Sequence, residues 1–151
     1  MVIVIGTAVA SEEERKTAFR LGHLLAENGF DLLCGGMGGV MEAACEGAKK
    51  AGGLTIGILP GSDSSSGNRW LDVAVPTGMG SMRNRIVALA GRAVVAIGGR
   101  YGTLSEIAFA LDAGRRVCSI GGWKSIRGVH PVSSPEEAID FVKSSYGGEN
   151  A

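Results

Sequence analysis

The chain has 151 residues, 45% of them hydrophobic but only 5% aromatic; that is one domain's length, enough for a continuous aliphatic core without disulfides or metal. Fifteen Lys and Arg balance fifteen Asp and Glu, so the net charge is zero and no global field argues for nucleic acid or an anionic membrane. The 25 glycines follow no repeat period, which excludes a collagen-like chain and suits many tight turns between strands and helices, and no apolar run approaches a membrane span.

Residues 2–5 read as a buried strand; the apolar start is too short for a signal-peptide core and has no basic flank. Residues 12–28 read as a helix with Ser11 as N-cap and Glu14 in the capping-box position. Ala18, Leu21, Leu24 and Leu25 recur at helical spacing and Gly29 ends the helix. A second strand covers 31–34, a glycine turn 35–39, and a helix 40–51 that stops at Gly52 and Gly53. The third strand, 54–59, ends at Pro60 and Gly61, and the polar segment 62–69 with its three serines reads as a mobile loop.

A weaker strand at 72–75 leads through the turn 76–80 into a helix at 81–91. The run Ala93, Val94, Val95, Ala96, Ile97 is a further strand, followed by a glycine turn and a helix at 104–113, then a strand at 116–120. Beyond Gly122 the chain is less regular through His130 and Pro131, and 135–144 is a terminal helix capped by Ser134. The domain is expected to occupy 1–146, with a flexible tail at 147–151. Short apolar strands alternating with helices predict an α/β fold: a single Rossmann-like, doubly wound, mostly parallel sheet with helices on both faces. Ligands of such sheets bind beyond the carboxyl ends of the strands at a switch point, where the turns at Gly6, Gly35, Gly78 and Gly98 are expected to converge.

The segment from Gly98 to Glu106, Gly-Gly-Arg-Tyr-Gly-Thr-Leu-Ser-Glu, is a strand end, a glycine turn and a helix N-terminus. Backbone N–H groups and the positive end of the helix dipole there are expected to form a phosphate cradle from Gly98, Gly99, Arg100, Tyr101, Gly102 and Thr103. Glu106 lies close to whatever that loop binds; its structural alternative is a favourable charge in the first turn of a helix. Of the consecutive Arg83, Asn84 and Arg85 only some can face the crevice, because helical neighbours diverge by about 100°, and Arg83 is taken for the pocket. Gly6, Thr7, Gly35 and Gly36 complete the expected binding set, since glycines permit close approach of a ligand. Met41 reads as core packing, Glu42 as a dipole partner, and His23 and His130 as structural.

No metal site is read from the sequence. Cys34, Cys45 and Cys118 are odd in number, lie in apolar segments and have no CxxC spacing, which predicts reduced core thiols and a cytoplasmic location. There is no GxSxG elbow and no Walker A lysine, and the first turn, Gly6-Thr7-Ala8, is not GxGxxG. No acidic residue follows the second strand where a dinucleotide ribose needs one, which argues against ordinary NAD binding.

Together these residues resemble the nucleotide-binding superfamily of the LONELY GUY-type phosphoribohydrolases, the so-called lysine decarboxylases, and the molybdenum cofactor carrier proteins. Cys34-Gly35-Gly36 through Val40-Met41, then Gly52-Gly53 through Ile58-Leu59-Pro60, looks like the pattern GGG..GLM…GG…IP. Arg83 and Glu106, 23 positions apart, fall where the phosphoribohydrolases pair an arginine with the glutamate of PGGxGTxxE. Gly98 stands for the proline of that motif, Arg100 for its second glycine, Asn84 for a lysine and Gly80 for a common methionine. With the short chain, these differences place it nearer the small carrier-like branch.

The resemblance implies a carrier or sensor that binds a nucleotide or related phosphorylated cofactor, with AMP, another nucleotide, phosphate or a molybdopterin-type group as ligand and no required cofactor. The alternative it implies is a phosphoribohydrolase that cleaves the N-glycosidic bond of a nucleoside 5′-monophosphate. There Glu106 stabilises oxocarbenium-like charge and orients water while Arg83 fixes the phosphate or base. Lysine decarboxylation is not expected. The resemblance also implies a homodimer or higher homo-oligomer, with Ile86, Leu89, Phe109 and Leu111 available for an interface; nucleic acid and membrane partners are not expected.

Overall fold

The computed structural model describes residues 1–147. Seven strands form one sheet in the order β4-β3-β2-β1-β5-β6-β7, and every neighbouring pair is parallel. The central strands β1 (Val2–Gly6), β2 (Leu32–Cys34) and β5 (Ala93–Ile97) are almost wholly buried, as short, continuous aliphatic runs must be when both sheet faces are covered. β3 (Thr55–Leu59) and β4 (Val73–Pro76) extend the sheet on one side, and β6 (Arg116–Ile120) and β7 (Val129–Val132) on the other.

Three helices, α1 (Glu12–Glu27), α2 (Val40–Lys50) and α5 (Pro135–Tyr146), pack on one face. The other face carries α3 (Arg83–Leu89) and α4 (Tyr101–Asp112). Two aliphatic cores result, one on each side of β1 and β5, with Val4 and Val95 in the first and Ile3, Ile5 and Val94 in the second. The tail expected from 147 lies, beyond Gly147, outside the described residues.

Most of the elements expected from the sequence form within a residue or two. The capping box of α1 is complete: Ser11 Oγ accepts from the Glu14 N–H at 3.1 Å and Glu14 Oε2 accepts from the Ser11 N–H at 2.8 Å. Four differences matter. The helix expected at 104–113 starts at Tyr101, because Gly98 and Gly99, both at positive φ, complete the turn early. The helix expected at 81–91 divides into a 3₁₀ turn, Gly80–Met82, and α3. The polar segment expected to be a mobile loop contains a 3₁₀ turn, Ser64–Ser66, capped by Asp63, and Asn68 ties its end to the Gly36 and Met37 carbonyls at 2.9 and 3.0 Å. β7 was not expected, since Pro131 cannot donate to a ladder; it is tolerated because β7 is an edge strand.

The contact between α1 and α2 depends on the absence of two side chains. A Cβ on Gly22 of α1 would lie 1.9 Å from the Ala44 carbonyl oxygen, and one on Gly47 of α2 would lie 2.0 Å from that of Phe19. The two backbones therefore touch, which seats both helices low over β1 and β2. We expect Gly47→Ala and Gly22→Ala each to lower stability by roughly 1–3 kcal/mol through overpacking, although alanine is favoured over glycine in an isolated helix by about 1 kcal/mol. Urea unfolding midpoints measure this, and an unchanged midpoint would mean that the helices separate freely.

Candidate functional site

From β1 the chain builds outward through β2 and β3 to β4, then α3 returns it to β5 on the other side of β1. The connections leaving β1 and β5 thus run in opposite directions and part above the sheet, as at any doubly wound switch point. A cavity of about 470 Å³ opens there. The loop after β1 supplies Gly6, Thr7, Ala8 and Val9, α2 supplies Met41, and α3 supplies Arg83 and Asn84. Arg100, Gly102, Thr103 and Glu106 come from the start of α4.

Arg83 is 9% exposed. Its Nη2 donates to the Gly35 carbonyl at 3.4 Å, and its Nη1 donates to Asn84 Oδ1. The Asn84 amide donates in turn to Ser105 Oγ at 3.1 Å, and that hydroxyl donates to the Gly102 carbonyl at 2.6 Å. A continuous chain of hydrogen bonds therefore joins the turn after β2 to the first turn of α4 and holds the guanidinium in place. The Arg83 Nε has no hydrogen-bond partner, and the side chain forms no ion pair with a described carboxylate. Burial pulls its pKa below the ordinary arginine value, opposed by the charge of Glu106 and, less, of Cys34.

Glu106 is 7% exposed, and its carboxyl makes no hydrogen bond to the described residues. Burial pushes its pKa from an ordinary 4.5 up to about 7, against the opposing pull of Arg83. Two unlike groups thus share one cavity without being paired: a cation that keeps its charge and a carboxyl near the midpoint of titration at neutral pH.

The N-terminus of α4 is open. Its N-cap, Arg100, makes no capping bond, and the N–H groups of Tyr101, Gly102 and Thr103 find no acceptor among the described residues. A Cβ on Gly102 would meet only Asn84, at 3.9 Å, so the approach is clear. Arg100 is exposed beside these donors.

Of the residues singled out in the sequence, Gly6, Thr7, Arg83, Arg100, Gly102, Thr103 and Glu106 stand around this cavity. Gly35 lies beside the Arg83 guanidinium, and Gly36 packs on Leu59 and Leu71. Gly98 faces Glu14 and a separate hollow on the α1 side, Gly99 packs on Thr103, and Tyr101 projects outward at 81% exposure. Sequence reasoning passed over Asn84, whereas Met41, read as core packing, is buried in the core on the α1–α2 face. Both line the cavity, while Arg85 turns away to place its guanidinium over the Phe109 ring. The adjacency of Asn84 to Arg83 was the available signal; it was set aside because helical neighbours diverge, yet here both side chains are held at the open start of a short helix.

The thiols lie deeper. Cys34, Cys45 and Cys118 are free and buried, and the Cys34 and Cys45 sulfurs touch at 3.6 Å. Among the described residues no three His, Cys, Asp or Glu side chains gather as for a metal ion, and no helix is long and apolar enough to cross a membrane.

Residues 1–145 match the model of the SLOG cluster4 family. An uncharacterized protein of Archaeoglobus fulgidus is 44% identical over 142 residues, which span 94% of this chain and 93% of that one. Among solved structures, the molybdenum cofactor binding protein from the phototrophic bacterium Rippkaea orientalis superposes with a TM-score of 0.88 at 39% identity, over 95% of this chain and 94% of its own. The molybdenum cofactor carrier protein of Chlamydomonas reinhardtii superposes with a TM-score of 0.88 at 37% identity, over 97% and 98%.

The buried carboxyl makes stability depend on pH. The folded protein holds the Glu106 proton more tightly than the unfolded chain does, so ionisation costs the folded state. That cost is absent below about pH 4.5, grows as pH rises, and is complete above about pH 7. Glu106→Gln is therefore expected to match the wild type at about pH 4.5 and to exceed it by roughly 2–3 kcal/mol at about pH 8. Denaturant unfolding at both pH values measures the difference, and an equal gap at the two would show that Glu106 does not titrate in this range.

Proposed function

The chain belongs to the SLOG cluster4 family, and from that premise we propose that it binds a phosphorylated small-molecule cofactor in the switch-point cavity and carries it without turning it over. The observation that carries this reading is the uncapped N-terminus of α4. Three backbone donors with no acceptor among the described residues, on a glycine-bearing first turn with Arg100 at its start, suit a phosphate group. A cavity of about 470 Å³ suits the remainder of a mononucleotide or a pterin of similar size. The structural relatives named for molybdenum cofactor binding and carriage favour a molybdopterin-type ligand. The residues fit such a group: backbone donors and Arg100 for its phosphate, Met41, Ala8 and Val9 for an uncharged ring, and polar Thr7 for ring edges.

A second reading is favoured by one observation, the unpaired carboxyl of Glu106 in the same cavity. In a phosphoribohydrolase it is placed to stabilise positive charge on a ribose and to orient water. We also propose a homodimer or higher homo-oligomer in a cytoplasmic setting. Ile86 on α3 is exposed beside Met82, and Leu89, Phe109 and Leu111 are half-buried, an arrangement suited to pairing with a second copy.

The carrier reading predicts that protein made in cells with an active molybdenum cofactor supply retains a pterin, seen as its fluorescent oxidation product after denaturation. Arg100→Ala and Arg83→Ala are each expected to reduce this retention at least about tenfold through loss of a charge-assisted contact. No pterin on the wild type would overturn the reading. Incubated with AMP, the wild type is expected to release no adenine above the blank. If adenine does appear, and Glu106→Gln lowers the rate roughly a hundredfold with affinity little changed, the hydrolase reading replaces it. For assembly, light scattering at micromolar concentration is expected to give twice the chain mass or more; the chain mass alone would reject pairing.

A further inference from the structure

The cavity has two poles of different depth. At the mouth, Arg100 and Gly102 are exposed beside the open α4 N-terminus. In the interior, Arg83 and Glu106 are more than nine-tenths buried and line the same space. The guanidinium cannot shed its charge by deprotonation, and among the described residues no carboxylate forms an ion pair with it and one of its donors is unused. An unpaired buried cation is costly unless an anion joins it, and Asn84 and the Gly35 carbonyl provide only neutral contacts. The neighbouring Glu106 carboxyl has no hydrogen-bond partner among the described residues, and in its acid form it offers an O–H donor.

We propose that Arg83, held by Asn84, and the protonated carboxyl of Glu106 form an interior oxyanion subsite, separate from the phosphate subsite at the α4 N-terminus. The ligand class is then a phosphate ester with a second anionic group, such as an oxo-metal centre. The inference rests on the binding reading above and adds the orientation of the ligand: phosphate at the mouth, second anion inside. Binding of that anion draws up to one proton from solvent onto Glu106, the uptake growing as pH rises through its titration, because an ionised carboxylate beside it would repel it. The charged and titratable groups around Glu106 are Arg83 from α3, Arg100 at the start of α4, and Cys34 of β2 beneath Arg83. The lining residues from the β1 loop and α2 bring none.

Molybdate tests this, because it remains a dianion across neutral pH whereas phosphate titrates there. In equilibrium dialysis with the metal quantified, the wild type is expected to bind one molybdate per chain, with affinity falling about tenfold from pH 6 to pH 8 as Glu106 ionises. Glu106→Gln is expected to bind with a flat profile. Arg83→Ala is expected to lose at least about tenfold, while Arg100→Ala keeps molybdate and loses AMP. No molybdate at millimolar concentration, a wild-type profile as flat as that of Glu106→Gln, or loss in Arg100→Ala with retention in Arg83→Ala each overturns the subsite. Should Arg83→Ala fail to fold, Arg83→Lys and the Glu106→Gln profile decide. AMP or pterin bound without molybdate removes this inference alone; molybdate bound without any phosphorylated ligand removes the binding reading and leaves the subsite standing.

Discussion

Everything in this molecule follows from seven strands running parallel and the chain reversing its direction of travel between β1 and β5. Parallel neighbours cannot be joined by hairpins, so each connection must cross a face of the sheet, and helices come to cover both faces. Strands so covered must be apolar throughout, which is why β1, β2 and β5 are short aliphatic runs. The reversal has one further result: the segments leaving β1 and β5 go to opposite sides and leave a gap above the strand ends. No side chain is needed to make that gap. What the side chains decide is its chemistry.

That chemistry is set by two charges brought together without being matched. Arg83 reaches the gap from the start of α3 and Glu106 from the second turn of α4, and each element is anchored by its own core contacts, Val87 and Ala88 on α3, Ile107 and Ala110 on α4. The hydrogen-bond chain from Gly35 through Arg83, Asn84 and Ser105 to Gly102 fixes the guanidinium to neutral partners, leaving its charge available. Burial then acts on the two groups alike, disfavouring the charged form of each. The carboxyl yields, because its ordinary range lies much nearer neutrality than the arginine's. A preorganised cation beside an adjustable acid is an environment that suits an incoming anion.

Small residues do the opposite work on the other face. Gly22 and Gly47 let α1 and α2 meet backbone to backbone, and Ala18, Ala44 and Ala48 continue the close contact. This compact pair supports β1 and β2 from below, and the N-terminus of α2 is held to the β1 loop by the Val40 N–H donating to the Thr7 carbonyl at 3.0 Å. One wall of the cavity is therefore positioned by helix packing on the face away from α3 and α4. The high glycine content serves this contact as well as the turns, a use that composition alone does not separate.

Much of the architecture was legible along the chain. Short aliphatic runs, most of them bounded by glycine, marked six of the seven strands, and the caps Ser11 and Ser134 marked helix starts, because burial on both faces and capping are local demands written in consecutive residues. The motif around Glu106 and its interval from Arg83 pointed to the family and to the two groups at the heart of the cavity. β7 escaped notice because a four-residue edge strand containing Pro131 has neither apolar continuity nor a full set of donors. The glycines divided in a way that no spacing foretold: Gly102 faces open space, Gly36 packs against Leu59 and Leu71, and Gly98 meets Glu14. Sequence by itself determined the alternation of strands and helices and the residue types available at the strand ends, since these depend on neighbours in the chain. Only the tertiary structure decided that Asn84 would hold Arg83, that the guanidinium would form no ion pair among the described residues, and that Glu106 would hold its proton near neutrality, because burial and electrostatic environment arise from elements far apart in sequence.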